Sequence, residues 1–268
     1  MPNRKQGKVF LVGAGPGDPE LLTLKAHRLL RDARLVLYDD LVQPEIVSLA
    51  GPQAKLVNVG KRCGTKRITQ AEINAQMIAA AGEGTDVVRL KSGDPAIFGR
   101  LGEELDALAD AHVSYEIVPG ITAGIAAAAA LGMSLTDRRS ASRLVIASAH
   151  HAREKTDEPT AQSEQNWSGL TRGDTTLMIY MPGHGLACLR DELLEAGLPS
   201  NTPAIIVSNA TTHRQRHRHT TLAEIALGPQ LEAPSVLLIG RALARPTSAA
   251  NTEISLLIEQ AESTLARK

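Results

Sequence analysis

The sequence has 268 residues, which is enough for one large domain or two modest domains with a buried core. Its 29 lysines and arginines equal its 29 aspartates and glutamates, so the net charge indicates neither nucleic acid nor a membrane surface as a partner. No apolar run reaches the roughly 20 residues that span a bilayer, and the polar start is not typical of a signal peptide. Cys63 and Cys188 fit no metal-ligand spacing. We therefore expect a cytoplasmic protein without a metal site.

The first half of the sequence alternates short apolar segments with helical patterns. Strands are predicted at residues 8–13, 34–38, 55–58, 86–90 and 115–118. Helices are predicted at residues 20–32, 44–49, 69–81, 102–109 and 121–131. This alternation is typical of an α/β fold, with a mostly parallel sheet that helices cover on both faces.

The pattern breaks near residues 132–142, where threonine, aspartate, arginine and serine become frequent. A second set of strands is predicted at residues 143–148, 175–180, 204–208 and 235–239. The polar stretch 151–166 is predicted to be a mobile surface loop, with Trp167 anchoring its return. We predict an N-terminal α/β domain (residues 1–134), a linker (135–142), a C-terminal α/β domain with a parallel or mixed sheet (143–246) and a helical tail (247–268). A ligand cleft is expected between the two domains.

Two Gly-Asp-Pro turns, at residues 17–19 and 93–95, each stand between a predicted strand and a predicted helix. Glycine allows a sharp turn or a close approach of the backbone to a ligand, and proline fixes φ just after it. Asp18 is a candidate N-cap for the helical segment that follows. Because the carboxyl ends of neighbouring parallel strands lie at one edge of a sheet, both turns predict a ligand pocket at that edge.

The glycine-rich segment 13–17 also invites a dinucleotide-binding interpretation, with Asp39 or Asp40 as the acidic residue that would contact a ribose. The third glycine stands at the wrong spacing, however, and Pro16 removes a backbone N–H from the turn that would face the phosphates. The sequence therefore disfavours an NAD site without removing it as an alternative.

Several cations lie near predicted strand ends or near the domain junction: Lys61, Arg62, Lys91, Arg100, Arg138 and Arg139. Together they predict a basic cleft that suits a substrate with several carboxylates. The histidine- and arginine-rich segment 213–219 is interpreted as a solvated strand or hairpin, because its arginines would repel a metal cation.

The sequence resembles the tetrapyrrole (precorrin) methylase family, and within it the uroporphyrinogen-III C-methyltransferases, from about Lys8 to Arg245. Six segments carry the resemblance: Val12-Gly13-Ala14-Gly15-Pro16-Gly17-Asp18-Pro19, Leu37-Tyr38-Asp39-Asp40-Leu41-Val42, Val59-Gly60-Lys61-Arg62, Arg89-Leu90-Lys91-Ser92-Gly93-Asp94-Pro95, Val118-Pro119-Gly120-Ile121-Thr122-Ala123 and Ile179-Tyr180-Met181. The resemblance implies the two-domain fold of that family, with the active site between the domains. With no domain-sized segment before Lys8, a fused dehydrogenase–chelatase is not expected.

The resemblance also implies S-adenosylmethionine as the methyl donor. The positions that match the family's donor-contacting residues are Pro16, Ser92, Gly93, Asp94, Ile97, Thr122, Ala123, Met181 and Ala210, with Ser92 and Ala210 where glycine is usual. Those implicated in catalysis match at Asp39, Lys61 and Arg100, and those that handle the substrate at Glu103, Arg138 and His150. Asp40 and Asp137 depart from a usual arginine and a usual histidine, which bears on the pose of a polycarboxylate substrate.

The implied reaction methylates uroporphyrinogen III at C2 and C7 and yields precorrin-2 for siroheme, cobalamin or haem d1. Methylation of a pyrrole carbon removes the aromaticity of that ring. A proton must then leave the tetrapyrrole, so a positioned base is needed. Asp39 and Lys61 are the candidates for proton handling, whereas Arg100 suits electrostatic clamping because its pKa exceeds about 12. A homodimer is expected. The alternatives are a later precorrin methyltransferase, an NAD-dependent oxidoreductase and a non-catalytic donor-binding protein.

Overall fold

A computed structural model describes residues 6–60, 68–149, 167–171, 173–183 and 185–244. In this part of the chain, two five-stranded sheets are flanked by helices, which confirms the predicted α/β architecture. The loop predicted at 151–166 and the helical tail predicted at 247–268 lie outside the described residues. None of the described helices is both long and apolar enough to cross a membrane.

The first sheet is entirely parallel, with strand order β3-β2-β4-β1-β5. Its strands are β1 (Val9–Gly13), β2 (Leu35–Tyr38), β3 (Lys55–Asn58), β4 (Val87–Lys91) and β5 (Tyr115–Val118). The helices are α1 (Leu24–Asp32), α2 (Pro44–Val47), α3 (Gln70–Gly82), α4 (Leu101–Asp110) and α5 (Ala123–Ala130). Buried residues of α1 and α2 belong to one hydrophobic cluster and those of α3 and α4 to another, so both faces are covered as predicted.

The starts of the helices follow from local capping. Asp18 caps a short 3₁₀ turn, Pro19–Leu21, by accepting a hydrogen bond from the Glu20 N–H at 2.9 Å. The hydroxyl of Thr23 then accepts from the Ala26 N–H at 3.1 Å and starts α1. The helix predicted at 20–32 is therefore two elements, because Thr23 adopts an extended conformation and begins the helix anew.

The second sheet is mixed, with strand order β6-β7-β10-β8-β9. Its strands are β6 (Arg143–Ser148), β7 (Thr175–Tyr180), β8 (Pro203–Ser208), β9 (Arg216–Thr221) and β10 (Ser235–Ile239). Only β6 and β7 pair in parallel, and the other neighbours pair antiparallel. The edge strand β9 lies where the sequence predicted a solvated strand or hairpin.

The helix α6 (Leu186–Glu195) was missed in the sequence, and it packs on this second sheet through Leu189 and Leu193. Trp167 joins the same cluster and donates from its indole nitrogen to the Glu192 carboxylate at 2.9 Å. The buried tryptophan agrees with its predicted role as an anchor.

The alanine-rich helix α5 connects the two sheets. It follows β5 of the first sheet, yet Ala127 and Ala128 pack with Met178 of the second. A Cβ on Gly124 would overlap the Met178 side chain, so the small residues of α5 allow tight helix–sheet packing.

Candidate active site

Three loops that follow β1, β4 and β5 meet at the carboxyl edge of the first sheet. The Ala14 N–H donates to the Lys91 carbonyl at 2.7 Å, and Gly15 and Gly93 exchange two backbone hydrogen bonds of 3.1 and 2.8 Å. The two Gly-Asp-Pro turns therefore lie side by side, as their positions after neighbouring parallel strands predicted.

Glycine is required where these loops touch. A Cβ on Gly13 would lie 2.6 Å from the backbone nitrogen of Gly120, and a Cβ on Gly120 would overlap the Gly93 carbonyl oxygen. Gly93 itself has φ of +68°, which disfavours any residue with a Cβ. The loops form a surface of closely packed backbone that larger residues would push apart.

The Asp94 carboxylate connects the loops after β4 and β5 by hydrogen bonds. One oxygen accepts from the Ala96 N–H at 2.8 Å, and the other accepts from the Gly120 N–H at 3.0 Å. This side chain, predicted from the resemblance to contact a donor, therefore also fixes the distance between the loops after β4 and β5.

Tyr180, at the end of β7, joins the second sheet to these loops. Its hydroxyl lies 2.6 Å from the Thr122 hydroxyl and accepts from the Gly124 N–H at 2.8 Å. Its ring packs against Phe98 with ring centroids 5.2 Å apart. Burial raises the pKa of Tyr180 above its ordinary value, so the phenol stays neutral.

A second contact between the halves involves the loop after β8. The Asp18 N–H donates to the Thr211 hydroxyl at 3.3 Å, and a Cβ on Gly17 would lie 2.6 Å from a methyl carbon of Thr212. The loop that carries Ala210 therefore rests on the first Gly-Asp-Pro turn.

The loops around the cleft also concentrate backbone strain. Five residues other than glycine have positive φ there, at 48 to 65°: Phe98, Arg100, Met181, Asn209 and Thr211. Such conformations persist only where the surrounding structure enforces them, and they cluster at ligand sites.

The structure brings the predicted donor-binding residues together on these five loops: Pro16 after β1; Ser92, Gly93, Asp94 and Ile97 after β4; Thr122 and Ala123 after β5; Met181 after β7; and Ala210 after β8. Ser92 and Ala210 are absent from the residues with positive φ, so their side chains are tolerated where glycine is usual. Their contact with a donor stays a prediction.

Asp39 follows β2 at the same edge of the sheet and belongs to a buried ionic cluster. One of its carboxylate oxygens accepts from the Arg89 guanidinium at 2.6 Å. Arg89 also donates to the Glu104 carboxylate at 3.0 Å, and Glu104 accepts from the Lys91 ammonium at 2.9 Å. Neither Arg89 nor Glu104 was predicted as a functional residue, although a charged residue within the apolar strand 87–90 signals a buried ion pair.

The basic cleft predicted from the sequence must be corrected at Lys91. Lys91 is buried and directed to Glu104, so it does not face a substrate. Burial, and to a lesser degree the Arg89 charge, lowers the pKa of Lys91. Arg139 pairs with Asp137 at 2.8 Å and lowers the pKa of that carboxyl to about 2. The departure at Asp137 therefore introduces no uncompensated anion.

Arg100 and Glu103, both predicted site residues, pair with each other at the start of α4. Two hydrogen bonds of 2.7 and 2.5 Å join the guanidinium to the carboxylate, and both side chains are exposed. The pairing raises the pKa of Arg100 further, so this arginine acts as a fixed cation. Arg138 is exposed on the turn before β6, whereas Lys61 and His150 lie outside the described residues.

An open groove of about 760 Å³ lies beside Asp40, between the two halves. Residues from the first half, including Tyr38, Asp40 and Asn58, line it together with Arg214 from the second half. One carboxylate oxygen of Asp40 is buried and has no hydrogen-bond partner among the described residues. The groove suits a polar ligand that extends from the edge of the first sheet.

The fold and this site define an α/β protein with two sheets and a candidate small-molecule cleft between them. A family model described as Tetrapyrrole (Corrin/Porphyrin) Methylases matches residues 8–226. The chain belongs to this family.

Among its relatives, the chain is 46% identical to the uroporphyrinogen-III C-methyltransferase of Pseudomonas aeruginosa, over 87% of this chain and 93% of that protein. It is 40% identical to the siroheme synthase of Nitrosococcus oceani over 90% of its own length, and it spans only 50% of that relative. A solved structure of the Thermus thermophilus uroporphyrin-III C-methyltransferase, complexed with S-adenyl homocysteine, superposes with a TM-score of 0.74 at 37% identity, covering 88% of this chain and 98% of that one.

Proposed function

We propose that this chain is an S-adenosylmethionine-dependent methyltransferase that methylates uroporphyrinogen III at C2 and C7 and releases precorrin-2. The observation that carries the proposal is the interlocked pair of Gly-Asp-Pro loops at the cleft. It occurs in a chain that is 37% identical to a methyltransferase solved with S-adenyl homocysteine. The resemblance of the full set of site residues to the family supports the same reaction.

The described residues fit a methyl donor. Gly93 at positive φ, with the close approach of Gly13 to Gly120, leaves backbone rather than side chains at the edge of the sheet. Thr122 and Met181 approach that edge from the two halves, and Met181 is half-exposed. The donor supplies an electrophilic sulfonium methyl group, so the protein's task is to hold the two reactants in line.

In this proposal, cations orient the acetate and propionate groups of the tetrapyrrole. Arg100 is the best-defined of these, because Glu103 fixes its guanidinium by two hydrogen bonds. Arg138, Lys61 and His150 complete the set by the family resemblance. A guanidinium paired to a carboxylate does not release its proton easily, so we assign Arg100 to binding and not to proton transfer.

Proton removal from the methylated ring is assigned to Asp39. Lys61 is the second candidate for proton handling. The Asp39 side chain is 31% exposed at the cleft edge of the first sheet, directly after β2. Only one of its oxygens accepts a hydrogen bond from the part of the chain that the structure describes. The other oxygen is therefore available to accept a proton.

The proposal is tested by anaerobic incubation of the purified chain with S-adenosylmethionine and enzymatically generated uroporphyrinogen III, followed by absorbance and mass. We expect the product to gain two methyl groups, and we expect Asp39→Asn to abolish most of this gain while binding S-adenosylhomocysteine normally. Donor binding without any methyl gain would reject uroporphyrinogen III and favour a later precorrin as substrate. Thermal stabilisation by NAD, and not by S-adenosylhomocysteine, would instead favour the oxidoreductase.

A homodimer and a cytoplasmic location are parts of the same proposal; the homodimer comes from the family resemblance, and the location comes from the composition and cysteine usage of the sequence. Light scattering of the purified chain measures the first directly. A monomer at micromolar concentration would reject it.

A further inference from the structure

We propose that Arg89 is a positioning residue for the reaction: its guanidinium holds the Asp39 carboxylate in place, while Glu104, itself held by Lys91, holds the guanidinium. This inference rests on the proposed role of Asp39 in proton removal. It assigns a function to three buried charges that do not themselves reach the cleft.

The Arg89 guanidinium contacts two carboxylates, in addition to longer hydrogen bonds of 3.5 and 3.4 Å to the Leu37 and Leu90 carbonyls. One terminal nitrogen donates to Asp39 Oδ1 at 2.6 Å, and Nε donates to Glu104 Oε1 at 3.0 Å. The side chain is 2% exposed and emerges from the middle of β4, so neighbouring strands restrict it on both sides. A planar guanidinium that is held at Nε cannot rotate without losing its contact with Asp39.

Glu104 is the fixed point of the cluster. It is fully buried on α4, and both of its oxygens accept from the Lys91 ammonium at 2.9 Å. Gln70, at the start of α3, donates to the same carboxylate at 3.2 Å. Contacts from β4, α3 and α4 therefore determine where the Arg89 guanidinium lies.

The charges of the cluster balance, and only one of them reaches solvent. Arg89 and Lys91 are two cations, Asp39 and Glu104 are two anions, and Asp39 alone is more than 3% exposed. Because Arg89 occupies Asp39 Oδ1, the carboxylate presents its other oxygen. The cluster thus orients a single carboxylate toward the cleft.

Stability alone is a weak reason for such a cluster. Replacement of buried ion pairs by apolar residues of similar volume is often neutral or stabilising, because the desolvation of charges is costly. The cluster lies at the carboxyl edge of the sheet, beneath the loop that carries Arg100. A Cβ on Gly99 would come 3.1 Å from Lys91 Cε. The position of the cluster therefore indicates that it orients residues of the site.

The test is a double-mutant cycle with Arg89→Lys and Asp39→Asn. Lysine keeps the positive charge but offers one donor centre, so it cannot hold Asp39 and Glu104 together. We expect Arg89→Lys to lower kcat by roughly ten- to a hundredfold, as for a misplaced reacting group, with the KM for S-adenosylmethionine within about twofold of wild type. Arg31→Lys, the same change at an exposed ion pair on α1, is the control and leaves kcat unchanged.

The cycle separates the failure of this inference from that of the proposed function. If Arg89 acts through Asp39, Arg89→Lys has no further effect in the Asp39→Asn background. An equal loss in both backgrounds would overturn the positioning role and leave the role of Asp39 intact. A fully active Asp39→Asn variant would instead reject the proton-transfer role itself.

A second variant keeps the inference testable if Arg89→Lys does not fold. A structural comparison keeps it testable if the wild type is inactive. Glu104→Gln retains the shape of the side chain and removes its charge, and it enters the same cycle with Asp39→Asn. Crystal structures of wild type and Arg89→Lys are compared at Asp39. In the wild type we expect a single orientation of the Asp39 carboxylate. In Arg89→Lys we expect this carboxylate to be rotated or to occupy two orientations. An unchanged Asp39 carboxylate would overturn the inference whatever the activity of the variant.

Discussion

Gly13, Gly93 and Gly120 determine how closely the loops after β1, β4 and β5 approach one another. Since a Cβ at Gly120 would overlap the Gly93 carbonyl, which itself accepts a hydrogen bond from Gly15, no side chain can yield to relieve the contact. The loops would have to separate, and the surface that we propose for the methyl donor would open.

We predict that Gly120→Ala destabilises the fold by about 1–3 kcal/mol, as overpacking does, and weakens S-adenosylhomocysteine binding at least tenfold. Gly102→Ala is the matched control, because its Cβ would meet no atom within 4 Å and it lies in the first turn of α4. That control should be neutral or up to about 1 kcal/mol more stable, since alanine is the better helix former. Denaturant unfolding and titration calorimetry measure both effects; equal behaviour of the two variants would contradict the packing argument.

At the scale of elements, Glu116 links β5 to its neighbours. Its carboxylate pairs with Lys8, just before β1, at 2.6 Å and with Lys25 of α1. The Lys25 and Lys8 hydrogen bonds lower the pKa of Glu116 from 4.5 to about 2. A carboxyl group with a lowered pKa in the folded state stabilises the fold above its ordinary pKa, and this contribution disappears as the pH falls from about 4.5 toward 2.

The predicted result is that Glu116→Gln lowers the urea midpoint at pH 7 and has a much smaller effect near pH 2. The wild type should therefore lose more stability than the variant between these pH values. Glu83→Gln, at the exposed end of α3, is the control. If wild type and Glu116→Gln respond equally to pH, the ion pairs contribute nothing measurable, as is common for exposed pairs.

The strands other than β9 were predictable because each contains a short apolar run between turn residues, whereas β9 is polar. The segments 55–58, 115–118, 143–148, 175–180 and 235–239 match the observed strands at both ends. The helix α6 was missed, although Leu186, Leu189 and Leu193 follow helical spacing and Gly197 follows the helix. The split before α1 depends on the competing cap at Thr23, which periodicity alone does not indicate.

The candidate site was predictable where a motif fixes a loop, and not where the contact depends on tertiary structure. The neighbouring positions of the two Gly-Asp-Pro turns follow from parallel strands. The burial of Lys91 does not, because its partner Glu104 lies on the next helix and only the packing of α4 on the sheet brings them together. The pairing of Arg89 with Asp39 likewise joins residues 50 positions apart.

For the whole molecule, the decisive question is what holds the two sheets at a distance that suits a ligand. The helix α5 packs on the second sheet through its alanines, and Tyr180 connects the loops at the mouth of the cleft. The Tyr180 hydroxyl meets two groups of the first half, Thr122 and the Gly124 N–H, while its ring meets Phe98. One side chain therefore ties two loops of the first half to the end of β7.

We predict that Tyr180→Phe, which keeps the ring, costs about 1–3 kcal/mol of stability, because it leaves the buried Thr122 hydroxyl and the Gly124 N–H unpaired. S-adenosylhomocysteine affinity should fall about tenfold, since each 1.4 kcal/mol of lost preorganisation corresponds to that factor. Tyr115→Phe, at the exposed edge of the first sheet, is the matched control and should change neither quantity. Thermal unfolding and calorimetry distinguish two results: a loss of stability alone makes the contact structural, whereas a parallel loss of affinity shows that closure of the cleft prepares the donor site. Unchanged values for both would mean that α5 packing and the contact of Asp18 with Thr211 set the distance between the sheets without Tyr180.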